Sequence, residues 1–249
     1  NINHFATQGA SGGPVGIINV DFIREIDLYS SAFPANRGNA LSSVLTMTQI
    51  DGNPDKMNYR TTVGATDLAL SAEGPLGERS SLLFSVRRSY LQFLFDLIGL
   101  PFLPTYNDIQ FKYKIKFDQR NELSVIGLGA LDQFRLNTGL ENPDESQQYI
   151  LGFLPVNEQY SYTFGLVYRH FFSSGFDTWV LSRNFLNNSA FKYKDNDENL
   201  PRIFDYNSNE GEVKFRFERL QRQGPLKLTY GVGLERARYS NATTRQFVF

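Results

Sequence analysis

Strict two-residue alternation of apolar and polar side chains constrains this chain more than any other feature. From Ile109 to Phe117 every odd position is apolar (Ile109, Phe111, Tyr113, Ile115, Phe117), while the even positions are Gln110, Lys112, Lys114 and Lys116. A period of two sends neighbouring side chains to opposite faces of a β-strand and serves no helix. The same order recurs at Leu82, Phe84 and Val86, at Tyr160 to Tyr168, at Val213, Phe215 and Phe217, and at Leu226 to Leu234. Nine strands are expected, over Met57–Ala65, Leu68–Leu76, Ser81–Leu91, Asp108–Asp118, Glu122–Phe134, Gln159–Phe171, Thr178–Phe191, Glu212–Gln221 and Leu226–Ser240.

Alternation by itself also fits a soluble sandwich. The connectors separate the two. Those at Gly77-Glu78-Arg79, Gln119-Arg120-Asn121, Ser173-Ser174-Gly175 and Arg222-Gln223-Gly224-Pro225 are tight, while those at Gln92–Asn107, Arg135–Glu158 and Lys192–Gly211 are long and irregular. Short turns at one end and long loops at the other are the layout of an outer-membrane β-barrel, which crosses the bilayer in strands of about 9–11 residues. The expected fold class is therefore an all-β membrane protein, an antiparallel transmembrane β-barrel. Bacterial single-chain barrels close with even strand numbers, so nine strands predict a partial barrel. Asn1 to Val20 also lacks the basic and apolar regions of a signal peptide, which fits a piece of something longer.

Composition removes other classes. With 25 Lys+Arg against 26 Asp+Glu the net charge is −1, and the basic footprint of a nucleic-acid binder is missing. Without cysteine there is no disulfide framework, thiolate chemistry or Cys-ligated zinc. The two histidines, His4 and His170, assemble no Ser/His/Asp set, so no enzyme, cofactor or metal is expected. Asp195-Asn196-Asp197-Glu198-Asn199 begins like a calcium loop, but Leu200 replaces the needed glycine and Tyr206 falls where the bidentate Glu belongs. It reads as a solvated acidic loop, and His170, beside Phe171 and Phe172, as part of an interfacial aromatic girdle.

The chain changes character at Gly52-Asn53-Pro54-Asp55, giving two parts, residues 1–52 and 53–249. In the first, Gly9, Gly12, Gly13 and Gly16 predict a loop. A helical turn follows at Ile17, Ile18, Phe22 and Ile23, then strands over Glu25–Tyr29 and Val44–Ile50. About fifty residues bury little core alone, so this part is expected inside the strand cylinder.

Three stretches then carry a resemblance: Phe22-Ile23-Arg24-Glu25-Ile26-Asp27-Leu28-Tyr29, Phe33-Pro34-Ala35-Asn36-Arg37-Gly38 and Leu41-Ser42-Ser43-Val44-Leu45-Thr46-Met47. Together they resemble the end of the plug domain of TonB-dependent outer-membrane transporters, and Gly74-Pro75-Leu76 before a short turn is similar to that family's second barrel strand. Ser30-Ser31 and Ser42-Ser43 depart from the family's common Arg-Gly and Gly-Gly.

The resemblance implies a C-terminal plug remnant followed by the first strands of a 22-stranded barrel in a Gram-negative outer membrane. It implies active uptake of a scarce ligand (siderophore, cobalamin, glycan or peptide), energised by the inner-membrane TonB complex through a segment preceding this sequence. A structural or passive barrel in a surface complex is the alternative. In the family this part of the plug faces ligand as an apical loop, so Asn3, His4, Phe5, Gln8 and Ser11 are the expected substrate-binding residues. Outer-membrane lipids are expected partners. The most apolar segment, Leu91 to Pro104, reads either as a helix folded onto the rim or as the docking surface for a surface lipoprotein.

Overall fold

The computed structural model describes residues 2–7, 14–30, 33, 36–37 and 42–246. Its main body is one nine-stranded antiparallel sheet in which each strand pairs with the next in sequence. The strands are β5 (Asn58–Val63), β6 (Asp67–Pro75), β7 (Ser80–Ser89), β8 (Phe102–Lys116), β9 (Asn121–Leu136), β10 (Val156–Phe172), β11 (Gly175–Tyr193), β12 (Arg202–Gln223) and β13 (Leu226–Arg245). Ahead of the sheet come a two-residue pair, β1 (Asn3–His4) with β2 (Val15–Gly16), a 3-10 turn at Val20–Phe22, and a hairpin of β3 (Ile23–Tyr29) with β4 (Val44–Gln49). Among the described residues no helix is long and apolar enough to cross a membrane.

Short and long connections alternate along the meander as the sequence predicts. Residues 76–79, 117–120, 173–174 and 224–225 are tight turns, and the opposite end carries residues 90–101, 137–155 and 194–201. Strand ends differ from the expectation. β8 begins at Phe102 rather than Asp108, β12 at Arg202 rather than Glu212, and β13 runs to Arg245. Hydrogen-bonded pairing continues where the apolar alternation stops, for instance through Asn187↔Asn209 and Ser189↔Asn207, because the ladder needs only backbone groups. At about 3.3 Å per residue, the 22 residues of β12 extend well past the 9–11 that a bilayer crossing takes.

The long connections also hold two helices. In the first, α1 (Leu91–Leu97) matches the rim-helix reading of Leu91–Pro104 in part, since Phe102 onward belongs to β8. In the second, which the sequence suggested was irregular, α2 (Glu145–Phe153) starts at a capping box. Asp144 Oδ1 accepts the Gln147 N–H at 2.7 Å, and Gln147 Oε1 accepts the Asp144 N–H at 2.7 Å.

The two sheet faces invert the usual order of burial. On one face Ser85, Asp108, Gln110, Asp132, Gln159, Ser161 and Ser208 are buried. On the other, even in central strands, large apolar side chains are bare: Leu131 is 60 % exposed, Leu181 48 % and Phe164 42 %. Soluble folds put apolar residues inside and leave charged ones out. Register accounts for the division, because Arg87↔Asp108, Tyr106↔Asp132 and Asp132↔Gln159 place one parity of every strand on the polar face. Opposite it, Phe111 pairs with Gly127, and its ring lies where a Cβ on residue 127 would stand.

Candidate functional site

The N-terminal segment lies against the polar face, held by side chains that the strands aim at it. β1 and β2 pair as Asn3↔Gly16 and His4↔Val15, which gives the first sixteen residues a small bridge where a loop was expected. That bridge presents His4 to the sheet. His4 is 0 % exposed; its Nδ1 lies 2.5 Å from Asp132 Oδ1 and its Nε2 2.9 Å from Asp108 Oδ2.

A carboxylate accepts and cannot donate, so both ring nitrogens are protonated when both bonds form. Burial opposes the charged imidazolium, but the hydrogen bonds and charges of Asp108 and Asp132 outweigh it and raise the His4 pKa above its ordinary value. Tyr106, itself buried, packs against the imidazole with ring centroids 4.5 Å apart. Arg87 Nε donates to Asp108 Oδ2 at 2.7 Å, and Arg87 Nη2 donates to the Gly16 carbonyl at 2.5 Å.

Backbone groups continue the seam. Phe5 N–H donates to Asp132 Oδ2 at 2.8 Å. The Gln159 amide closes a two-way contact with Ala6, accepting from its N–H at 2.9 Å and donating to its carbonyl at 2.5 Å. Further along, Asn19 N–H donates to Gln110 Oε1 at 2.9 Å and Asn19 Nδ2 to Ser85 Oγ at 3.0 Å. Arg37 reaches Glu218 at 3.7 Å.

At the junction with β5, Asp51 bridges Lys112 at 2.7 Å and Lys114 at 2.9 Å. Burial works to raise the Asp51 pKa, but its two ammonium partners lower it to about 2. The folded value is the depressed one, so this contribution to docking is present above about pH 4, the ordinary carboxylate range, and is lost as pH falls through about 2. Because the Asp51 side chain is half exposed, screening limits the pair to about 1 kcal/mol or less. Asp51→Asn is expected to speed hydrogen exchange at residues 50–52 a few-fold at neutral pH while leaving the His4 seam unchanged.

Between the segment and the long connections lies a 440 Å³ cleft. Phe5, Val15, Leu91, Phe95 and Phe134 give it apolar walls, with Gln159, Asn157 and Asn188 as polar groups. An apolar cavity with a few convergent amides is the usual form of a small-molecule site. Of the expected binding residues, Phe5 borders this cleft, Asn3 lies in β1, and His4 is directed away into the wall. Gln8 and Ser11 lie outside the described residues. Asp132 takes its partners from the N-terminal segment, the His4 ring and the Phe5 N–H. Gln159 has one signal in the sequence, an amide on the polar parity of β10 next to a long connection.

Leu91–Pro104 splits between two environments. Leu91, Phe95 and Pro104 border the cleft, and Phe95 packs on Phe102 with ring centroids 5.6 Å apart. Phe93, Leu97 and Ile98 stand exposed. His170 Nδ1 contacts Asn121 Oδ1 at 2.8 Å near Phe171 and Phe176 at the short-turn end. Asp195 and Asn196 adopt left-handed backbone in a 3-10 turn, and among the described residues no group of three or more His, Cys, Asp or Glu is placed to hold a metal. No protein-family model matches the chain, and no curated protein matches it.

Proposed function

We propose that this chain is the plug-end and first-strand part of an outer-membrane β-barrel transporter of the TonB-dependent type, taking up a scarce ligand captured at the long-loop end. The inverted burial of the sheet carries the reading: a polar face covers the N-terminal segment while a continuous apolar face stays bare, which suits a wall with lipid on one side and a filled, wet lumen on the other. The segmental order supports it as well, because a small part without its own core precedes the strands and is held by them. The Phe5–Phe95 cleft then stands where ligand from outside would meet plug and loops together. Phe93, Leu97 and Ile98, with Tyr149 and Phe153 of α2 also exposed, support a partner at that rim, such as a surface lipoprotein lid.

The experiment uses the absence of cysteine from these 249 residues, with any cysteine elsewhere in the full-length protein replaced by serine. In cells making the full-length protein, a cysteine replacing Leu181 should react with a lipid-soluble maleimide and resist a water-soluble one. A cysteine replacing Thr7, which borders the cleft, should react with the water-soluble reagent faster when the inner-membrane proton gradient is intact than after it is discharged. Reaction of the residue-181 cysteine with the water-soluble reagent at the rate of a free thiol would remove the membrane reading. Equal residue-7 rates with and without the gradient would favour the passive or structural barrel.

A further inference from the structure

Three arginines of β11 and β13 gather at one place on the apolar face of the sheet. Cations along the middle of the polar face are matched: Arg87 with Asp108, Lys112 and Lys114 with Asp51, and Lys214 with Glu212 and Glu235. Arg183, Arg236 and Arg238 have no carboxylate within 4.0 Å among the described residues. Register brings them together. Arg183 and Arg236 flank Val213 on its two sides, and one step outward Phe185 and Arg238 flank Gly211. Gly211 offers no side chain between them, and a 400 Å³ cleft opens there. Glu212 also borders this cleft, but its carboxylate is held on the other face by Lys214 at 3.0 Å and Asn184 at 3.0 Å.

Position along the strands gives the cluster its meaning. The apolar series Trp179, Leu181 in β11, Phe217, Phe215, Val213 in β12 and Val232, Leu234 in β13 ends at these arginines, and Asn187, Asn209 and Ser240 follow beyond them. Tyr162 lies beside the boundary, with the Arg183 guanidinium 6.0 Å from its ring centroid. Aromatic side chains followed by cations at the end of an apolar band mark the headgroup level of a bilayer, here on the long-loop side.

We propose that Arg183, Arg236 and Arg238 form a binding site for the phosphorylated headgroup of an anionic lipid in the outer leaflet. This inference rests on the membrane reading above. Charge and shape both fit: guanidinium groups bind phosphate oxygens in a bidentate fork, three of them match a headgroup with more than one phosphate, and acyl chains leaving it would run down over Val213, Leu181 and Leu234. A water-soluble anion would gain the charge contacts without that apolar track.

The test compares the full-length protein with the R183Q/R236Q/R238Q variant in phosphatidylcholine vesicles, with diphosphorylated lipid A, dephosphorylated lipid A or neither added. Wild type should retain the phosphorylated lipid through detergent extraction and native mass spectrometry, and should release the dephosphorylated form. The triple variant should retain about tenfold less, as the loss of charge-assisted pairs to phosphate requires. Arg216→Gln, on the polar face, keeps wild-type retention and controls for a general change of charge. Equal retention by wild type and triple variant, both inserted in the vesicles, overturns the lipid site and leaves the membrane reading standing. Complete displacement by millimolar inorganic phosphate overturns it too, in favour of a free-anion site. Wild type that fails to insert in any of the vesicles overturns both.

Discussion

On the proposed membrane reading, Phe111→Arg and Phe215→Arg should each lower stability in lipid vesicles by about 2–4 kcal/mol, the cost of a charge near the middle of a barrel's lipid face. Both side chains sit within the apolar series of their strands, Phe111 between Ile109 and Tyr113 and Phe215 between Val213 and Phe217. Phe111 carries an added loss, because its ring covers Gly127 and a long cation would uncover that backbone. Thr163→Arg is the matched change on the other parity. Its cross-strand neighbours are Leu128 and Asn184, with Glu212 one strand further, so an arginine there gains a nearby carboxylate. Urea titration of vesicle-inserted protein should show the two Phe variants shifted by several times the Thr163→Arg change. Equal shifts on both faces would mean that neither faces lipid.

That contrast follows directly from Ile109–Phe117, and the division of faces was legible in the sequence because alternation is written in adjacent residues. The tight turns were legible for the same reason. Strand ends were not, since β12 enters its pairing at Arg202 through Asn207, Ser208 and Asn209, a stretch polar on both parities that looks like loop until its backbone partners are known. α2 had a local signal, Asp144 and Gln147 at capping-box spacing, inside a connector whose charges and prolines masked it. The cleft was half legible. Phe5 and Leu91–Pro104 stand out as apolar in loops, whereas Gln159 joins them only through a contact 153 residues away in sequence.

His4 marks the limit most sharply, because a lone histidine in a Gly-rich loop reads as exposed, and its burial depends on Asp108 and Asp132, 104 and 128 residues distant. Replacing it should have the largest local effect in the molecule. His4→Leu removes the cation between two nearly fully buried carboxylates, and breaking such a group by deleting one partner costs about 3–5 kcal/mol. Arg87 still faces Asp108, so Asp132 bears most of that loss. The cost falls on docking of the N-terminal segment, since the β8 and β9 ladders do not involve His4. Hydrogen exchange at Phe5 and Ala6 should therefore rise by two orders of magnitude or more while exchange in β8 and β9 stays slow.

The same site sets a pH dependence of known sign. The docked His4 pKa is raised, so the docked state holds its proton at pH values where the released histidine, with an ordinary pKa of about 6.5, has lost it. The stabilisation is complete below about pH 6.5 and is lost as pH rises through the docked value. Wild type should show exchange at Phe5 and Ala6 that accelerates at alkaline pH beyond the intrinsic rate, and His4→Gln, which has no proton to lose, should follow the intrinsic rate alone. An identical pH profile in the two proteins would mean that the imidazole is neutral in the seam and that one of its two carboxylate contacts is made through a protonated Asp.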